Sequence, residues 1–263
     1  MLYYIYKGCD TVDKKYIQVK YNIVVILVFM IFLFTLCFVL YSKVNRDNID
    51  INTSIELSDG NDVISQNLQG IIPTSDKINR NIRTAYQTNV TTYRNIDNDI
   101  FLIKAYKLAS NYSYKDMYGI LKKLYGNNLF IINNSFNVNG TDVCNYDSLA
   151  KVYNCTTKEY KGITYSTFRK IDSVNISNDD YFLTENVVFY SKDNTDEEIK
   201  YSIYSDATYN EAIVKFTSKD FSDKDMTIDK YIEDNYMDNS NIYRSKFILI
   251  KNSYQWINTE RLK

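Results

Sequence analysis

Hydrophobic and polar positions alternate in three different ways along the chain. Residues 23–41 read IVVILVFMIFLFTLCFVLY, with one mild polar residue, Thr35, and no charge. At about 1.5 Å rise per residue a helix of this run covers roughly the 30 Å hydrocarbon core of a bilayer. Only a helix satisfies each backbone N–H and C=O within one such segment, so a membrane-spanning helix is predicted there. From 42 to 96 the pattern turns polar and rich in Asn, Thr and Ser, and a stalk or linker is expected. One island, 59–72, predicts a short helix: Ser58 or Asp59 caps it, Val63, Ile64, Leu68 and Ile71 are its apolar positions, and Pro73 stops it.

The folded domain is expected over 97–263. Asp97 or Asn98 caps a helix whose Phe101, Ala105 and Leu108 share a face. Ser113 and Asp116 resemble a capping box, Met117, Ile120, Leu121 and Leu124 repeat at helical spacing, and Gly126 stands just past the end. Beyond Gly126 the apolar period shortens. Runs at 129–132, 150–155, 162–171, 181–190, 199–205, 211–218, 243–251 and 254–258, rich in Ile, Val, Tyr, Phe and Thr, predict strands of an antiparallel sheet. A helix carrying Ile228, Tyr231, Ile232 and Tyr236 interrupts them, and Asn252-Ser253 is the expected turn of the last hairpin. A short helix pair followed by a curved antiparallel sheet is an α+β plan, and in element order it resembles the cystatin/NTF2-like fold.

Charge then orients the span. Residues 1–22 carry Lys7, Lys14, Lys15 and Lys20, whereas beyond the span Lys43 and Arg46 are followed by no base until Lys77. The positive-inside rule predicts a cytoplasmic tail at 1–22, a single-pass signal-anchor at 23–41 and an extracytoplasmic domain. The run exceeds a cleaved signal's apolar region and no A-x-A site follows it. Cys37 follows Leu36, so a lipoprotein signal is disfavoured and Cys37 reads as an apolar helix residue. The formal net charge of −1 gives no cationic excess, which argues against nucleic-acid binding.

Absences narrow the chemistry further. The 263 residues contain no His, which excludes Ser-His and Cys-His activation and HExxH zinc sites. Seven dispersed glycines write neither GxGxxG nor a phosphate-binding loop. The 26 Tyr read first as strand residues with a polar tip. No catalytic, cofactor or metal residue is nominated.

Cys144 and Cys155 are the site residues that the sequence does nominate. On the oxidising side of a membrane they predict a disulfide, whose short loop removes roughly 3 kcal/mol of unfolded-state entropy. Cys9, on the cytoplasmic side, is expected to be reduced. Ser148 to Lys151 writes S-x-x-K, the spacing of a serine acyl-enzyme if it were helical, but its usual partner motifs are missing. Acidic clusters at 193–198 and 223–225 could offer oxygen ligands, and read better as solvated turns. Asn-x-Ser/Thr triplets begin at Asn52, Asn89, Asn111, Asn133, Asn139, Asn154 and Asn175.

A Lys-bearing head, one apolar span, an Asn-rich stalk, a CxxxxxxxxxxC loop and the tail YRSKFILIKNSYQWINTE together resemble uncharacterised membrane-anchored extracytoplasmic proteins of low-GC Gram-positive bacteria. The resemblance implies a cell-envelope location and no assigned activity. The expected function is a bitopic protein, held by the lipid bilayer, whose ectodomain binds or scaffolds an envelope protein or wall polymer. Its alternatives are an envelope enzyme using carboxylate and Tyr chemistry, or an NTF2-like scaffold subunit of a secretion machine.

Overall fold

The computed structural model describes residues 63–222 and 226–263. The expected tail, the span at 23–41, the stalk up to residue 62, Cys9, Cys37, Asn52 and the acidic cluster at 223–225 lie outside these residues. Among the described residues no helix is long and apolar enough to cross a membrane.

The architecture is α+β, and its backbone is one mixed-length antiparallel sheet. Three helices lead: α1 (Val63–Ile71), α2 (Asn98–Leu108) and α3 (Tyr114–Tyr125). Two strands, β5 (Ile163–Ser177) and β6 (Asp180–Asp193), form a hairpin running the whole length of the sheet. The other edge of β6 serves two partners. Residues 180–187 pair with β9 (Asn241–Ile250), which carries β10 (Ser253–Arg261) and then β1 (Val90–Thr92). Residues 189–193 pair with β7 (Lys200–Tyr204), which carries β8 (Ala212–Thr217). Tight turns set these registers. Asn178-Asp179 and Lys251-Asn252 both have positive φ at two successive residues, the geometry of a two-residue hairpin turn, which Asn and Asp tolerate best. The last turn thus sits one residue earlier than expected, at 251–252.

The two halves of the sheet are covered on opposite faces. On β6, Leu183, Val187 and Phe189 join the larger core under α1–α3, together with Tyr243, Phe247 and Trp256. Val188 points the other way, into a second core with Ile203 and Phe216, closed by Phe221 of α4 (Lys219–Ser222) and Ile232 of α5 (Ile228–Tyr236). The unbroken Val187-Val188-Phe189 run reflects this burial on both faces.

Several expectations are corrected. A second, three-stranded sheet, β2 (Phe136–Val138), β3 (Asp142–Asp147) and β4 (Val152–Thr157), stands apart from the main one. The 129–132 run is not a strand. Its Leu129 and Ile131 are buried, and Asn98 clamps Ile132 by donating to its carbonyl (2.7 Å) and accepting from its N–H (2.9 Å). Residues 63–96 are folded into the domain and are not stalk: Leu68, Ile72, Ala85, Tyr86 and Ile96 are core, and β1 pairs with β10. α2 is buried nearly all round, from Ile100 to Ala105, while Leu108 is exposed, because α2 lies between α1, α3 and the small sheet. Asp97 caps α2 without a side-chain bond, since its carboxylate accepts instead from the backbone N–H and the Nε of Arg83. Ser113 caps α3 as expected, accepting from the N–H of Asp116.

Candidate functional site

The helices α1–α3 cover only half of their face of the main sheet. On the other half that face is open, and its composition follows from strand register. Three cross-strand rows span β5, β6, β7 and β8: Thr167, Phe189, Tyr204 and Ala212; Tyr165, Ser191, Ser202 and Lys215; Ile163, Asp193, Lys200 and Thr217. Alternation puts each row on one face. From the covered half outward they pass from aromatic to hydroxyl to charged, and most of them line a cleft of about 520 Å³. That volume lies within the roughly 300–1,000 Å³ range of small-ligand sites.

The wall of the cleft is a tyrosine cluster. Tyr209 sits at positive φ in the β7–β8 connection, where its ring meets Tyr165, Tyr204 and Phe189 edge-on. Its hydroxyl donates to the carbonyl of Ser166 (2.9 Å), and burial pushes its pKa well up. Tyr204 Oη and Ser191 Oγ lie 3.1 Å apart, so one hydroxyl pair is already made at the floor.

Segment 72–80 supplies the rim. Lys77 and Tyr165 exchange two backbone hydrogen bonds (2.9 and 2.7 Å), which adds a single bridge to the outer edge of β5. The Lys77 ammonium is buried, lies 4.9 Å from the Tyr209 ring centre, and donates to the carbonyls of Arg80 and Ile82. Burial lowers its pKa to about 8, against the opposing pull of Asp97. These bonds fix the backbone at Arg80, whose side chain lines the cleft.

Charges inside the cleft are unequally matched. Arg80, Lys200 and Lys215 face one carboxylate, Asp193. Asp193 accepts from the N–H (3.0 Å) and hydroxyl (2.5 Å) of Thr195, bonds that lower its pKa and keep it ionised. Lys200 pairs with Asp196 at 2.5 Å. Such an array offers an excess of cationic groups around one ionised carboxylate.

A second polar centre lies under α1. Glu185 is completely buried on the core face of β6, where its Oε1 accepts from Tyr86 Oη (2.5 Å) and its Oε2 from Gln69 Nε2 (3.1 Å). Arg169 Nη1 lies 3.8 Å from Glu185 and donates to Tyr86 Oη and the Gln69 carbonyl. Nearby Lys104 donates to the carbonyl of Gly70 (2.7 Å), and burial, then Arg169 and Lys107, lower its pKa to about 7. Each oxygen of Glu185 is thus satisfied from within the fold, as a structural network requires.

The nominated cysteines meet. Cys144 and Cys155 are directly opposite on β3 and β4, with Cα atoms 4.0 Å apart and sulfurs at 2.11 Å. The Ser148–Lys151 motif is not helical. It forms the β3–β4 turn, with Asp147 accepting from the N–H groups of Leu149 and Ala150 and with Lys151 at positive φ, so Ser and Lys are not one helical turn apart. The 193–198 cluster is a solvated turn whose carboxylates pair with Thr195, Lys200 and Lys219. No group of three potential metal ligands occurs among the described residues.

Neither the cleft nor the Glu185 network was nominated from sequence. The cleft depends on register, which composition does not reveal. Glu185 did carry a signal, a carboxylate at period two among Leu183, Val187 and Phe189. Compared with protein-family models, curated proteins and solved structures, the chain matches none of them.

Proposed function

We propose that this chain is a bitopic cell-envelope protein. Residues 23–41 span the bilayer with the N-terminus cytoplasmic, and the folded domain is an extracytoplasmic binding module. The observation that carries the binding assignment is the open half of the sheet face: a preformed cleft with a Tyr wall, a hydroxyl floor and cations, and no nucleophile–base pair. The Cys144–Cys155 disulfide supports an oxidising compartment. Helices laid on one face of an antiparallel sheet support a cystatin/NTF2-like architecture as the finer reading of the fold.

An envelope enzyme using carboxylates would need two acids of unequal pKa in one pocket. The cleft holds one acid, already ionised, and Glu185 is enclosed, so binding is the better supported reading.

The test uses the full chain in zwitterionic-lipid nanodiscs, sedimented with purified insoluble wall polymer. Co-sedimentation that is lost on Ser202→Trp, which fills the cleft floor, is the expected result. Retention unchanged by Ser202→Trp, or no retention of the parent chain, would overturn the assignment. Protease added to intact cells checks topology and should digest the domain.

A further inference from the structure

We infer that the occupant of the cleft is an anionic saccharide, with its acidic groups met by Arg80 on one side of the cleft and Lys215 on the other and its ring against the Tyr wall. This rests on the cleft being the binding site, and it adds the class of ligand. Three observations converge on it.

The first is an imbalance of charge that the fold leaves unresolved. Lys200 has Asp196 and Asp193 has Thr195, whereas among the described residues neither Arg80 nor Lys215 has a side-chain hydrogen bond or ion pair. Both line the cleft. Arg is suited to planar, forked recognition of a carboxylate or phosphate, and Lys supplies a point charge beside it.

The second is the placement of Arg80. The backbone bridge to Tyr165 and the two bonds from the Lys77 ammonium fix the segment that carries it, before any ligand arrives. Lys77 itself adds a buried cation behind the Tyr209 ring. An anion entering the cleft therefore meets cations carried on a fixed backbone, and what is left to order is the side chains of Arg80 and Lys215.

The third is the neutral part of the surface. Ser202 presents a hydroxyl on the floor between Ser191, already paired with Tyr204, and Thr217, which donates to Asp220, and Tyr165 and Tyr204 flank them with ring surface. Rows of hydroxyls beside aromatic rings match a polyhydroxylated ring, which has polar edges and apolar C–H faces. A peptide would instead seek backbone pairing, and the two central strands of the floor, β6 and β7, are already paired on both edges, which leaves only the far edge of β8 for such pairing.

The test is fluorescence anisotropy on the full chain in phosphatidylcholine nanodiscs. Four labelled probes of similar length are compared: oligogalacturonate, poly(glycerol phosphate), a neutral chito-oligosaccharide and oligoglutamate. Oligogalacturonate should bind at least about tenfold tighter than the chito-oligosaccharide, an advantage that shrinks with added salt. The Arg80→Gln/Lys215→Gln double variant should bind both saccharides alike, with an unchanged melting temperature. The poly(glycerol phosphate) arm decides whether phosphate substitutes for carboxylate: affinity within about threefold of oligogalacturonate identifies the anion as generic, and weaker binding identifies it as carboxylate. Equal affinity for neutral and anionic saccharides would overturn the charge assignment while leaving the cleft as the site. Oligoglutamate binding as tightly as oligogalacturonate would overturn the saccharide assignment. Binding of any probe that survives Ser202→Trp would remove the cleft from both readings.

Discussion

The main sheet has two uncovered faces, one on each half, and they differ in what they do with their charges. On the β9–β10 half the open face carries Arg244 and Lys246 over the Phe182 ring, and each cation has its own carboxylate, Glu260 at 2.5 Å and Asp180 at 2.5 Å. On the β7–β8 half the open face carries Arg80 and Lys215 without such partners. Exposure alone does not mark a site, since both faces are open. What separates them is whether the fold has already answered its own polar groups. The Glu185 network is the extreme of the self-answered kind, and the cleft is its opposite.

This contrast can be broken by substitution, beginning with the strongest effect. Glu185→Ala leaves the partly buried Arg169 without its nearest carboxylate and the Tyr86 hydroxyl without its acceptor, and a loss of about 2–3 kcal/mol in denaturant melts is expected. A much smaller loss would mean that water reaches the network and that it resembles the cleft after all. Next comes the disulfide. Cys144→Ser/Cys155→Ser should cost about 2–3 kcal/mol, measured under non-reducing conditions, because the short loop is then free in the unfolded chain.

Protonation sharpens the comparison. Lys104 under the helices is held at about 7 and Lys77 behind the cleft at about 8, both below the ordinary 10.5 because burial disfavours their charge. Between the folded and unfolded values the unfolded chain binds the extra proton, so stability rises with pH, by up to about 1.4 kcal/mol per pH unit for each group. The sign reverses above about 10, where unfolded tyrosines ionise while burial keeps Tyr86, Tyr125 and Tyr209 protonated. Melts from pH 6 to 11 should show the rise and then the fall. Lys104→Met should remove the part of the rise that begins near 7 and leave the part that begins near 8.

The smallest effect belongs to the cleft. Lys215→Gln and Arg80→Gln should shift stability by no more than about 0.5 kcal/mol, because nothing in the fold depends on those charges. A large destabilisation would place them among the structural groups and remove the contrast.

Apolar periodicity foretold much of this fold and little of its site. The helices at 98–108 and 114–125 and the strand runs at 162–171 and 181–190 were legible from apolar spacing and β-rich composition, whereas the joining of those two runs into one long hairpin through a turn at 178–179 was not. Within 63–96 the helix at 63–71 was legible as well, but the docking of the segment was not, because it enters the core through a few scattered residues, Ile72, Ala85 and Tyr86, and through buried Lys77 and Thr91, whose side chains are satisfied by hydrogen bonding. The 129–132 run misled for the converse reason: apolar residues were needed for burial, while Asn98 supplied the backbone partners that a strand would have had. The cleft joins positions from 80 to 217, and only pairing register brings Tyr165, Ser191, Ser202 and Lys215 into a row.

The pairing of β1 with β10 also bears on how the domain is made. Thr91 is buried opposite Thr259, so the early strand has no place to dock until the last one has been synthesised. A nascent chain must therefore carry β1 unpaired until β10 has emerged, and the closure of the sheet waits on that strand.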